Sequence, residues 1–138
     1  MSMSLFVVLA LGVEPNTNEL NQFSKENGHN IEYTHNVVLN EHSGFLPAIL
    51  NSQEAGMEIY SFSTSEFPEP FKSVIPANYS EGVVYQLRYG GNPIEAQSAF
   101  TTAAILITKY NGVAIDDQSG NLMSPEQLIQ ALSYLGGM

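Results

Sequence analysis

Cysteine and tryptophan are both missing from this 138-residue chain, and Lys and Arg together number only four. Without cysteine there can be no disulfide, no thiolate nucleophile and no Cys-ligated zinc, a composition compatible with a reducing compartment. The four basic residues, Lys25, Lys72, Arg88 and Lys109, are scattered. They cannot build the phosphate-neutralising stripe that nucleic-acid binding needs. Long apolar runs are missing too. Leu5 to Leu11 stops at Gly12, and Ala103 to Ile107 is shorter still, so neither is expected to cross a membrane. No Lys or Arg precedes the first run, which therefore reads as a buried strand rather than a secretory signal, and the expected location is the cytoplasm.

What the chain does have is acid. Fourteen Asp and Glu residues set the net charge at −10 near pH 7. They occur singly or in pairs along the chain, not as a tail, so they should coat a folded surface. Such a surface repels nucleic acid and anionic lipid and steers basic partners over about a Debye length. Hydrophobic residues make up 43% of the chain, enough for a core, and the length suits one domain over residues 1–138.

Periodicity gives the elements. Leu5 to Ala10 is apolar at every position, as in a strand covered on both faces. Asn16 to Asn27 reads as a short helix with Leu20 and Phe23 on its apolar stripe and Asn27-Gly28 as its stop. Alternation over Asn30 to Leu39 predicts a half-buried strand, and Gly44 to Leu50 a second. Asn51 to Glu54 would be a turn, with Ala55 to Phe62 returning. Ser63 to Asn78, with Pro68, Pro70 and Pro76, reads as an irregular loop, and Gly82 to Tyr89 alternates again. Asn92-Pro93-Ile94-Glu95 is helix-start chemistry for an apolar helix reaching about Tyr110. Val113 to Ile115 is a short strand, and Ser124-Pro125-Glu126-Gln127 starts a last helix. The order βαββββαβα predicts an α+β fold, a mostly antiparallel sheet with helices packed on one face. The pairing of the first strand with the Val113 strand stays open between parallel and antiparallel.

The usual signatures of catalysis are weak. No serine sits in a Gly-x-Ser-x-Gly elbow. His35 and His42 flank Glu41, with His29 the remaining histidine, but the spacing fits no helix face and solvated histidines are the plainer reading. Asp116-Asp117 after a strand could hold Mg²⁺, although Asp-Asp-Gln-Ser-Gly is equally a turn in which Asp caps backbone N–H groups. Gly90-Gly91 before a helix start lacks both the further glycine of a dinucleotide loop and the lysine of a P-loop, so a tight bend is expected. A small metal-dependent hydrolase using Asp116, Asp117, Glu41 and His42 is the enzymatic alternative, and an acidic subunit of a larger assembly is another. The aromatic residues fall mostly on strand periods and are expected in the core, except Phe67 and Phe71, which share the proline-rich loop with Glu66 and Glu69.

Two stretches carry a resemblance. Gly44-Phe45-Leu46-Pro47 followed by Glu54-Ala55-Gly56-Met57-Glu58-Ile59-Tyr60 forms one. The other runs from Tyr85-Gln86-Leu87-Arg88-Tyr89-Gly90-Gly91 through Glu95 to Asn111-Gly112-Val113-Ala114-Ile115-Asp116. Together they resemble the immunity proteins encoded beside bacterial polymorphic toxins of interbacterial competition. The resemblance implies a non-enzymatic protein, with no cofactor and no metal, that binds and neutralises one cognate secreted toxin by stoichiometric occlusion. The negative charge then leads one to expect a basic nuclease, a DNase or RNase, as that toxin, although inhibitors of other toxin classes can be acidic too. The expected toxin-binding residues are Glu41, Glu54, Glu58, Glu66, Phe67, Glu69, Phe71, Asp116 and Asp117, the carboxylates pairing with toxin Lys and Arg and the phenylalanines giving an apolar anchor.

Overall fold

The structure, a computed structural model, describes residues 3–69 and 71–136, so Pro70 lies outside the described residues. Its strands are β1 (Met3–Leu9), β2 (Ile31–Tyr33), β3 (Gly44–Leu50), β4 (Gln53–Ser63), β5 (Val83–Tyr89), β6 (Val113–Asp116) and β7 (Leu122–Met123). Its helices are α1 (Thr17–Asn27), α2 (Phe71–Val74), α3 (Pro93–Tyr110) and α4 (Pro125–Gly136). One sheet of order β2-β3-β4-β5-β1-β6-β7 holds every strand, and each neighbouring pair is antiparallel. The α+β class and the predicted order hold, with β7 and the four-residue α2 added. The open pairing is decided as well, because β1 and β6 run antiparallel with Val7 opposite Ala114.

β1 sits between β5 and β6 and is apolar on both sides. Leu5, Val7 and Leu9 join Met57, Ile59, Leu87, Ile105 and Leu106 in the main core, under α3. Phe6 and Val8 point the other way, into a second cluster with Val84, Ile115, Phe67 and Tyr79. The cover on that second face is the proline-containing stretch between β4 and β5, which folds as a 3-10 turn (Thr64–Glu66), α2 and a second 3-10 turn (Ala77–Tyr79). Local composition predicts only an irregular loop for this stretch, and its aromatic residues explain the added order. The Phe67 ring lies 4.9 Å from Phe6, 5.6 Å from Phe62 and 5.2 Å from Phe71, centroid to centroid.

The helix starts behave as their residues predict. Asn16 Oδ1 accepts from Glu19 N–H, Asn92 Oδ1 accepts from Ile94 N–H, and Ser124 and Gln127 satisfy each other's backbone N–H groups. The strand predicted over Asn30 to Leu39 is shorter, only Ile31–Tyr33. Along and beyond it the chain pairs with side chains of α1. Ser24 Oγ donates to Ile31 C=O (2.8 Å) and accepts from Ile31 N–H (3.2 Å). One turn earlier, Asn21 Oδ1 accepts from Tyr33 N–H (2.7 Å) while its Nδ2 donates to Tyr33 C=O. Thr17 Oγ1 then accepts from Val37 N–H and donates to His35 C=O. A polar stripe on α1 thus closes the outer edge of the sheet, where exposed backbone would otherwise pair with another chain.

The β3–β4 hairpin turns at Asn51 and Ser52 alone, both at positive φ (50° and 67°), the signature of a type I′ turn. Glu54, expected in the turn, is instead inside β4, opposite Ile49. This end of the hairpin extends past β5, and α3 supplies the missing partner: Ser98 Oγ accepts the Gly56 N–H at 3.0 Å. Gly56 itself has φ +125°. A β-carbon there would press on the Leu46 carbonyl oxygen and come within 2.9 Å of the Phe45 ring. Pro47, opposite Gly56, is tolerated because the N–H it lacks would face the β2 side, where β2 has ended at Tyr33 and the Pro47 carbonyl still accepts from Thr34 N–H, so the missing donor falls at the end of that ladder. The Gly44–Pro47 and Glu54–Glu58 stretches therefore answer to one geometric demand.

Gly56→Ala is expected to lower stability by about 1–3 kcal/mol, from strain at this φ and the close approach, read as a lower urea midpoint with an unchanged slope. A second expectation comes from the tyrosines. Tyr85 is fully buried and its hydroxyl has no partner among the described residues, as is also true of the Thr64 hydroxyl. Burial, helped by the charge of Glu14, pushes the Tyr85 phenol up to about 12. Tyr110, whose hydroxyl donates to Glu19, and Tyr33, bonded to Thr102, are also raised, chiefly by burial. The unfolded phenols ionise near their ordinary value of 10.0, before the folded ones. Stability fully present below that pH should therefore fall as pH rises toward the folded value. Urea midpoints measured from about pH 8 to about pH 12 should show this, with a shallower fall in Tyr85→Phe and no loss for that variant at neutral pH.

Candidate functional site

The carboxylates expected to form a site are separated by the topology. Glu41 ends the 3-10 turn Leu39–Glu41 beside β3, while Asp116 closes β6. Three strands (β4, β5 and β1) lie between β3 and β6, a separation on the order of 19 Å at about 4.8 Å per strand. Asp116, Asp117, Glu41 and His42 therefore do not converge, and among the described residues no three His, Asp or Glu side chains are grouped to hold a metal ion. Asp116 acts locally. Its Oδ1 accepts from Gln118 N–H and its carbonyl from Gly120 N–H, closing the turn into β7. Asp117 is part-exposed beside it, and the two charges add to burial in raising the Tyr89 phenol.

The histidines are likewise engaged locally. His42 Nε2 donates to the Phe45 carbonyl at 3.1 Å, capping the edge of β3. His35 Nδ1 lies 3.3 Å from Thr34 Oγ1. His29 stacks on Phe23, and burial holds it below its ordinary value. At Gly90-Gly91 the bend before α3 is already filled by an acid, since Glu95 Oε1 accepts the Gly90 N–H. An incoming phosphate would meet that carboxylate.

In the segment between β4 and β5, Glu66 completes a capping box by accepting the Ser63 N–H. Glu69 is exposed. Phe67 is only 3% exposed and packs inward, which corrects its placement as an apolar anchor at the surface. Phe71 is half-buried and stacked on it. Both phenylalanines hold this segment against β1, so their loop position reflects a core function.

A different surface emerges where, among the described residues, the second face of the sheet has no cover. The packing of the β4–β5 segment is on Phe6, Val8, Val84 and Ile115, leaving the β2–β4 part of that face open. Strand alternation places Phe45, Pro47 and Ile49 of β3 side by side along it. Register sets Glu32 of β2 and Glu54 of β4 on either side of Ile49, and Glu58 next to Phe45. Phe45 is 49% exposed, its ring lying across Gly56. Glu58 accepts the Tyr60 hydroxyl at 2.5 Å, which raises that phenol, and faces Arg88 across the β4–β5 pair. A groove of about 420 Å³ runs here, lined by Phe45, Pro47, Ile49 and Glu54 and by Ile94 and Glu95 at the start of α3. A second hollow of about 540 Å³ lies between α1 and β2 and shares Glu32 and Ile49 with this face. Of the expected binding residues, the structure gathers Glu54 and Glu58 here and leaves the rest elsewhere.

Sequence periodicity assigns Phe45 to the core and singles out none of Glu32, Pro47 and Ile49. Phe45-Leu46-Pro47-Ala48-Ile49-Leu50 is apolar on both faces, so its period gives no outward side. No protein-family model matches the chain, and no curated protein matches it. No helix among the described residues is long and apolar enough to cross a membrane.

The two roles found in the β4–β5 segment separate experimentally. Phe67→Ala should cost about 3–5 kcal/mol in urea unfolding, because it empties the second core cluster. Glu69→Lys should change the unfolding free energy by no more than about 0.5 kcal/mol.

Proposed function

We propose that this protein is a cytoplasmic immunity protein that binds one cognate antibacterial toxin, a basic nuclease, and neutralises it by stoichiometric occlusion. The observation that carries this reading is the open acidic face of the sheet, an apolar stripe along β3 between Glu32 and the pair Glu54 and Glu58, on a chain of net charge −10. Complementarity is all that such a protein has to supply. Opposite charge speeds encounter with a basic enzyme, and the apolar contacts set how long the complex lasts. The resemblance of the Gly44–Pro47 and Tyr85–Asp116 stretches to toxin-immunity proteins supports the same reading, as does the scarcity of basic residues that a nucleic-acid binder would need.

Co-expression with the product of the neighbouring gene is the direct test. A 1:1 complex that restores growth is expected, with an association rate that falls steeply as salt is raised. Formation of a complex without growth rescue would favour an acidic subunit of a larger assembly. No complex and no rescue would overturn the proposal.

A further inference from the structure

We infer that the uncovered β2–β3–β4 face is the docking surface for an extended, cationic segment of a partner protein, with its apolar side chains on Phe45, Pro47 and Ile49 and its Lys or Arg side chains reaching the flanking carboxylates. The inference rests on the reading of this protein as a binder of a basic protein, and names the surface and the chemistry of its occupant.

The spacing defines the fit. Phe45 and Ile49 are four residues apart on β3, about 13 Å at the rise of a strand. Glu58 and Glu54 lie beside them in register, so a carboxylate flanks each end of the stripe. Glu32 adds a third on the β2 side of Ile49. An extended segment with cations four residues apart matches this pattern. Each end has one of the chain's cations nearby, Arg88 opposite Glu58 and Lys25 in the hollow that Glu32 and Ile49 share with α1, and Glu32 and Glu54 are both exposed. Phe45 is an exposed large apolar side chain that lines a groove, together with Pro47 and Ile49. Charge selects the occupant. A second copy brings another −10, and nucleic acid or anionic lipid meets the same repulsion, whereas a basic protein segment meets attraction.

The test is an amide chemical-shift titration of the intact protein with a capped synthetic peptide rich in arginine and valine, beside a control with glutamate in place of arginine. Saturable shifts confined to the Phe45–Ile49 and Glu54–Glu58 stretches and Glu32 are expected, with none from the control. Because Phe45 also covers Gly56, the readout uses the exposed positions: the double variant Glu32→Lys, Glu54→Lys should keep its native spectrum and bind the peptide about fivefold or more weakly. Shifts that cluster at Glu66–Glu69 or Asp116–Asp117, that spread evenly over the acidic surface, or that never saturate would overturn the inference. The two proposals fail separately. A double variant that still rescues growth as well as the natural chain would discard this surface and leave the immunity function standing. Peptide binding at this face without any complex or rescue by the neighbouring gene product would do the reverse.

Discussion

A central strand that is apolar on both faces must be covered twice, and that requirement organises the rest of the molecule. β1 directs Leu5, Val7 and Leu9 under α3 and Phe6 and Val8 to the opposite side. The first cover is a long helix lying across β4, β1 and β5. The second is the segment between β4 and β5, held by Phe67, Phe71 and Tyr79. The second cover packs on the part of the sheet that needs it and stops there. Where β3 and β4 run on, the same face stays open with half-exposed apolar side chains between carboxylates. The open surface is thus a by-product of how far a core-driven cover extends.

The second constraint is that exposed backbone must be satisfied, and on the β2 side of the sheet the molecule meets it with side chains. Thr17, Asn21 and Ser24 close the outer edge along β2. His42 caps the Phe45 carbonyl on β3, and Ser98 takes the Gly56 N–H where β4 outruns β5. Edges finished in this way offer little for strand addition. On that side of the sheet the proposed partner is left with the face, where recognition would work through side-chain shape and charge.

These devices also show what was legible beforehand. Helix caps were, because Asn16, Asn92 and Ser124 act within a few residues of themselves. The two-sided burial of β1 was, because an unbroken apolar run admits little else. The Asp116 turn was as well, since a carboxylate followed by Gln-Ser-Gly satisfies local N–H groups. The end of β2 was not, because alternation through Val37 and Leu39 continues after the strand has left its neighbour for the polar stripe of α1. Phe67 escapes a local reading for a related reason: proline and acid around it signal a surface loop, while its burial depends on Phe6, distant in the chain.

By itself the sequence determined the α+β class, the order of the elements, a dense negative charge and the poverty in cations that sets what the surface repels. Each follows from short-range periodicity or from composition, which survive without knowledge of partners in space. The tertiary structure alone decided which acids are neighbours and which are committed to turns and caps. It also decided that Phe67 goes inward and Phe45 outward. Register across β2, β3 and β4 did this, because pairing brings Glu32, Ile49 and Glu54 into one row although they are far apart in the chain. The proposed surface is therefore a property of cross-strand alignment.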